Sequence, residues 1–262
     1  MNSTTLELLP ILLGSLELIV LIVLSIRSLP MRRSMAPVFF TFALVSYLFS
    51  NVYWIAYDLL RPDTRMPFAA NEFGEIGLFL LITSTLSAVF RGRFAAARQE
   101  MLCAAVFATA SVALWIGWSG EWLQDILVGF CFGYCLCDCV RSLKQSDALS
   151  KTEWRLLGGL AAMLMLLQGA TFFLSGPWKA AADYGAYSIM FSVLLYALGK
   201  TIRAMRCGQE PIRQVALSVS CFVWTESTLY MSADVFYVAA EVSLLVCLPL
   251  MLIALRREEA AA

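Results

Sequence analysis

The chain has 262 residues, of which 60% are hydrophobic and only 15% charged, with a mean hydropathy of +0.76. Too little polar surface remains to clothe a water-soluble globule, so the composition points to a polytopic membrane protein. Nineteen Lys and Arg balance nineteen Asp and Glu, and a chain without net charge offers no bulk field to attract nucleic acid.

Histidine is absent. Bis-imidazole haem, zinc sites of the HExxH kind and His-based proton relays all require that ring. The four lysines, Lys144, Lys151, Lys179 and Lys200, fall at segment ends or in loops, which leaves no mid-membrane amine for a retinal Schiff base. No cofactor is expected.

Nine apolar stretches of roughly membrane-spanning length follow one another along the chain. The expected fold is all-α, a polytopic transmembrane bundle in one integral-membrane domain over 1–262 with no soluble domain, because backbone polar groups in lipid must be satisfied within the segment. The first stretch, 9–29, has no basic region before it, and the chain's start carries Glu7 and Glu17 instead, so it reads as a membrane helix and not as a cleavable signal. The second, 36–60, contains Asn51. At the entry to the third, 73–90, stand Asn71, Glu72 and Glu75, the two acids at i and i+3 and therefore on one helical face; further along it lies the polar run Thr83, Ser84 and Thr85. The fourth is 100–118.

The fifth stretch, 122–140, opens near Asp125 and holds Cys131, Cys135, Cys137 and Cys139 beside Asp138. Zinc sites draw cysteines from converging turns, whereas here Cys131 and Cys135 share a helix face and Cys137 points elsewhere. These thiols are expected to pack as small hydrophobes, and Gly129 and Gly133 between them suit close helix packing. The sixth stretch, 154–175, contains Gln168, and the seventh is 184–205. The eighth, 212–232, is the least regular, since Thr225, Glu226, Ser227 and Thr228 are polar for a lipid-facing helix. If it lies at the interface the count falls to eight. The ninth, 235–255, contains Glu241.

Charge is distributed by side. Arg27, Arg32 and Arg33; Arg91, Arg93 and Arg98; Arg141, Lys144, Lys151 and Arg155; Lys200, Arg203, Arg206 and Arg213; and Arg256 and Arg257 occupy alternate gaps, while only Arg61, Arg65 and Lys179 fall on the other side. The positive-inside rule therefore places the N-terminus outside a plasma (inner) membrane and the C-terminus in the cytoplasm. The outer side holds Glu7, Glu17, Asp58, Asp63, Glu72, Glu75, Glu121, Asp125, Asp183, Glu226, Asp234 and Glu241. Such a field concentrates cations, although depletion of bases and the helix dipole produce an acidic face without any function.

Depth singles out three of these acids, because a mid-membrane carboxylate costs about 2.5 to 3.5 kcal/mol on insertion scales. Glu17, Glu226 and Glu241 lie well inside their segments with no Lys, Arg or His at comparable depth. They are the candidate cation, proton or substrate pathway, with Asn51 and Gln168 as further deep polar groups whose ordinary role would be interhelical hydrogen bonding. Asn71, Glu72, Glu75 and Asp125 are the candidate outer vestibule; oxygen ligands so grouped suit a hard cation or an amine.

Two functions compete. One is a secondary transporter or channel for a cation, or for a small cationic or proton-coupled solute. The other is a non-catalytic membrane anchor or sensory subunit in contact with lipid or quinone. A carboxylate-based membrane enzyme is a third. Expected partners are the lipid bilayer, a small cationic solute or ion, and a membrane or cytoplasmic partner subunit, with no nucleic acid. No metal site is expected.

Overall fold

The structure is a computed structural model describing residues 3–28, 34–60, 70–90, 98–119 and 122–261. Among these residues it is all-helical, with nine helices: α1 (Ser3–Ser28), α2 (Ala36–Leu60), α3 (Ala70–Val89), α4 (Arg98–Ser119), α5 (Trp122–Gln145), α6 (Lys151–Ala170), α7 (Gly176–Arg206), α8 (Pro211–Met231) and α9 (Asp234–Ala261). Arg32, Arg33, Arg61, Asp63, Arg65, Arg91, Arg93 and Glu121 lie outside the described residues, as do the side chains of Glu7, Asp58 and Asn71.

Each helix coincides with one apolar stretch, and several run beyond it. The fifth continues to Gln145 and the ninth to Ala261, through Arg, Lys, Glu and Ala residues that are strong helix formers once a helix exists. The seventh starts eight residues before its apolar run, where Ser175 stands at the N-cap and a proline occupies the first turn. The fifth and seventh end in Schellman turns. Asp147 and Gly208 take positive φ, and the following amides of Ala148 and Gln209 reach back to the Leu143 and Ala204 carbonyls, each at 3.0 Å.

Seven helices, α1 to α5, α7 and α9, are long and apolar enough to cross a membrane. Two fall short of the expected nine, and the cause is compositional. Helix α6 opens with Lys151, Glu153 and Arg155, and α8 carries Arg213, Gln214 and the run from Thr225 to Thr228.

The packing order explains how a helix as polar as α8 is accommodated. Neighbouring contacts run α1, α2, α3, α5, α4, α6, α7, α9 and back to α1, a closed circuit, while α8 touches α3, α5, α7 and α9 from within. Most of its side chains are buried. Its polar half was expected to be anomalous against lipid; instead it faces protein, and the hydroxyls of Thr225 and Thr228 bond the Cys221 and Trp224 carbonyls one turn back at 2.8 and 2.9 Å. Phe222 meets Tyr47 edge-on at 6.2 Å, and Phe79, Phe132 and Trp115 form a second aromatic layer.

The basic end of the circuit is held by side chains that cap neighbouring helices. Arg256 donates to the Leu24 carbonyl at the end of α1, and Arg257 to the Met205 carbonyl at the end of α7 and to Gln214 Oε1. Arg213 reaches the Ser146 carbonyl after α5. Cations on exposed C-terminal carbonyls satisfy both the orphan acceptors and the helix dipole.

Within the circuit, contact depends on small residues, since lipid supplies no hydrophobic drive between helices. A Cβ at Gly74 would stand 2.9 Å from the Ser46 carbonyl oxygen of α2, one at Gly133 3.0 Å from the Ala108 Cβ of α4, and one at Gly158 would meet nothing. Gly74→Ala is therefore expected to destabilise the protein by about 1–3 kcal/mol through overpacking, whereas Gly158→Ala is expected to be neutral or mildly stabilising through helix propensity. Thermal unfolding in mild detergent checks both; equal melting temperatures for the two variants would contradict the close α2–α3 approach.

Candidate functional site

Four helices bring acids and tyrosines together near the end of the bundle where α2 and α8 finish and α3 and α9 begin. From α8 comes Glu226, which is 5% exposed. It interacts with the Tyr47 hydroxyl of α2, with Glu241 of α9 and with Glu75 of α3, and among the described residues no Lys or Arg is among its partners. One turn on, the Tyr230 hydroxyl donates to Glu75 Oε2, and Ser50 of α2 approaches Glu75 Oε1 at 3.5 Å. Tyr237 donates to Glu241 at 3.1 Å, and Gln124 of α5 donates to Glu72 at 2.8 Å.

The local sequence explains these placements. Glu226 and Tyr230 on α8, and Tyr237 and Glu241 on α9, are both i,i+4 pairs, so each acid shares a helix face with a phenol. Tyr230 is itself fixed by Trp115, whose ring centroid lies 5.5 Å away. Tyrosine is the natural donor here. It carries an apolar ring that packs in a bundle interior and a hydroxyl that reaches a carboxylate without bringing charge.

The electrostatic consequence follows from counting. Glu226 lies within the influence of both Glu75 and Glu241, and among the described residues no cationic side chain figures in the interactions of the three. A buried charge without compensation costs about 3–5 kcal/mol, and like charges at one site cannot all ionise. One acceptor of the cluster is vacant: Glu226 Oε1 is buried with no hydrogen-bond partner. Among the described residues no three Asp, Glu, Cys or His side chains converge closely enough to hold a metal ion.

The sequence candidates divide accordingly. Glu226, Glu241, Glu72 and Glu75 come together, joining a presumed deep pathway and a presumed vestibule into one cluster. Asn51, one turn beyond Tyr47, stands half-buried on that face of α2. Asp125 sits half-buried in the first turn of α5, next to Gln124. Two others lie elsewhere. Glu17 is on α1, within electrostatic reach of Cys247, and Gln168 is on α6, its amide 3.9 Å from Met190 Sδ of α7. Helix α6 packs on α4 and α7 and is not among the helices that carry the acids. The hydroxyls of Ser84 and Thr85 serve their own helix, bonding Leu80 and Leu81 carbonyls at 2.8 Å, and do not line the site. Cys131, Cys135 and Cys139 form a buried stripe on α5 from which Cys137 diverges.

Sequence reasoning missed Tyr47, Ser50, Gln124, Tyr230 and Tyr237. The i,i+4 acid–tyrosine spacing on two consecutive helices was a legible signal for Tyr230 and Tyr237. It also missed Asp138, 1% exposed and paired with Arg141 at 2.9 Å.

Opposite the acid cluster, at the basic end, a cavity of about 450 Å³ lies between α4, α5, α6, α7 and α8. At its mouth Ser150 and Glu153 form a reciprocal capping box at the start of α6, Ser150 Oγ accepting from the Glu153 amide at 3.3 Å and Glu153 Oε2 accepting from the Ser150 amide at 2.6 Å. Glu153 Oε1 accepts from Tyr196 and Lys200. Burial alone would raise the Glu153 carboxyl, but Lys200, Tyr196 and Ser150 outweigh it and hold the group at about 2.

Comparison with protein-family models, with curated proteins and with solved structures gives no match to this chain.

Two predictions follow from these geometries. Tyr230→Phe removes the donor to Glu75 and is expected to cost about 1–3 kcal/mol, the penalty for stranding a buried polar group; an unchanged melting temperature would show that Glu75 does not depend on that bond. Glu153 has a folded-state value below its unfolded one, so its contribution is present above about pH 4.5 and lost as pH falls toward about 2. Melting curves of Glu153→Gln should therefore decline less steeply than wild type across that window, and parallel declines would remove Glu153 from the linkage.

Proposed function

We propose that the chain is a secondary transporter or channel of the plasma (inner) membrane, moving protons or a small proton-coupled, cationic solute, with Glu226 as the central titrating group. In this reading all nine helices span, the N-terminus is outside and the C-terminus is cytoplasmic. Helix α8 crosses inside the circuit, where its polar face needs no lipid contact, and the acid cluster lies about 8 to 10 Å below the outer helix ends, from the positions of Glu226, Glu75 and Glu241 at 1.5 Å per residue. The bias of basic residues toward the opposite end supports this orientation.

The observation that carries the reading is the vacant, buried Glu226 Oε1 in a group of carboxylates that no side-chain cation among the described residues neutralises. Intramembrane carboxylates in that condition exchange protons or bind cations as their means of staying buried. Tyr47, Tyr230 and Tyr237 each bond one of Glu226, Glu75 and Glu241, and a hydroxyl can both donate and accept, which is the chemistry a proton relay needs.

A second reading, a non-transporting anchor or sensory subunit that holds a lipid or quinone, is favoured by the apolar cavity at the basic end, which includes none of the clustered acids.

Proteoliposomes containing a pH-sensitive dye separate the two. Under an imposed proton gradient, wild-type protein is expected to carry flux above empty liposomes, and Glu226→Gln, of equal size but unable to ionise, is expected to reduce it about ten-fold or more. Flux that stays unchanged and pH-sensitive in Glu226→Gln would remove Glu226 from the mechanism, and wild-type flux no greater than that of empty liposomes would favour the second reading.

A further inference from the structure

The cavity at the basic end has the form of an amphiphile site. Its walls are apolar: Phe107 of α4, Leu136 and Val140 of α5, Leu157 of α6, Val193 of α7 and Trp224 of α8. Along α7 it runs from Lys200 to Ile189, eleven residues or about 16 Å of helix. Its volume of about 450 Å³, at about 30 Å³ for a water-sized group, corresponds to about fifteen such groups, the scale of one alkyl chain and not of two.

The mouth is different in kind. Gln99, Glu100, Trp154, Arg155, Tyr196 and Lys200 surround it. Glu100 is paired with Lys144 at 2.5 Å and Glu153 with Lys200. That leaves Arg155 as an exposed guanidinium with no acidic partner among the described residues, so the three cations Lys144, Lys200 and Arg155 exceed the two acids Glu100 and Glu153 by one. Trp154 and Tyr196 stand beside it, and aromatic rings of this sort sit where hydrocarbon meets headgroups.

From this complementarity we infer that the cavity binds a single-chain amphiphile with an anionic headgroup, its chain between α4, α6, α7 and α8 and its head on Arg155. A guanidinium forms charge-assisted, two-pronged hydrogen bonds to phosphate or carboxylate oxygens. The surplus positive charge at the rim selects against a cationic head, and the apolar floor at Phe107 and Trp224 selects against a polar solute. Gly158 lines the wall with nothing within 4 Å of a Cβ built there. A side chain added at that position starts in open space on the cavity wall, where a larger one competes with the alkyl chain. The inference stands whether or not the acid cluster transports protons.

The test uses the full chain in a neutral maltoside detergent, with tetradecyl phosphate as probe and melting temperature as readout. Tetradecyl phosphate is expected to raise the melting temperature saturably, and Gly158→Leu, folded and melting like wild type without ligand, is expected to abolish that rise. Arg155→Gln is expected to weaken apparent affinity about ten-fold, the loss of one charge-assisted pair. Ala161→Leu, on the same wall, serves if Gly158→Leu does not fold. Stabilisation of equal size by tetradecanol or tetradecyltrimethylammonium would overturn the headgroup assignment. Stabilisation by inorganic phosphate alone, or undiminished binding in the filled variants, would overturn the cavity assignment.

Discussion

Hydrocarbon offers no hydrogen bonds, and helix α8 contains Thr225, Glu226, Ser227 and Thr228 in succession. A helix with that sequence cannot face lipid along one whole side, since each unsatisfied polar group there costs several kcal/mol. The bundle resolves this by enclosure. Eight helices close around α8, its threonines bond back to their own helix, and the Glu226 carboxyl is directed toward a phenol and other carboxyls from α2, α3 and α9. The order of the circuit, with α3 beside α5 and α9 returning to α1, is what allows one central helix to have four partners.

The absence of histidine and of mid-membrane lysine gives the tyrosines their importance. With no basic side chain at that depth among the described residues, the donors that meet Glu75 and Glu241 are hydroxyls, and phenols supply them with little loss of apolar packing. A carboxyl cluster bonded by neutral donors remains able to take up positive charge, whereas one neutralised by arginine does not. Asp138 shows the contrast within the same molecule: it is as deeply buried, but Arg141 one turn away forms a salt bridge with it, and no outside cation is called for.

The fold was legible because its signals are periodic and redundant. Each helix follows from an uninterrupted apolar stretch, and Gly129 and Gly133 announced the tight α4–α5 seam that the Val112 and Ala108 side chains now fill. What sequence could not supply was lateral order. Glu226 and Glu241 were recognisable as deep acids from their distance to the flanking charges, but nothing in a linear reading distinguishes Glu17, which faces the α1–α9 seam, from Glu75, which reaches Tyr230 across 155 positions. Gln168, likewise deep by position, meets Met190 of α7. Depth along a helix is a one-dimensional property and is written in the chain; which seam a face meets depends on the circuit, and the circuit is set by packing among helices whose outward surfaces are almost equally apolar.

Helix α8 also separates the two features of the molecule that can bind something. Trp224 lines the basic-end cavity and Glu226 belongs to the acid cluster, yet two residues in an α-helix are about 200° apart around the axis. The cavity therefore opens toward α4 and α6 while the acids face α2 and α9, and the wall between them is the packed body of α8 itself. Changes that fill the cavity at Gly158 and changes that neutralise Glu226 act on opposite sides of one buried helix with no shared partner, so their energetic effects are expected to add. That independence makes the acid cluster and the apolar cavity separable by mutation, although both depend on the same enclosed helix for their shape.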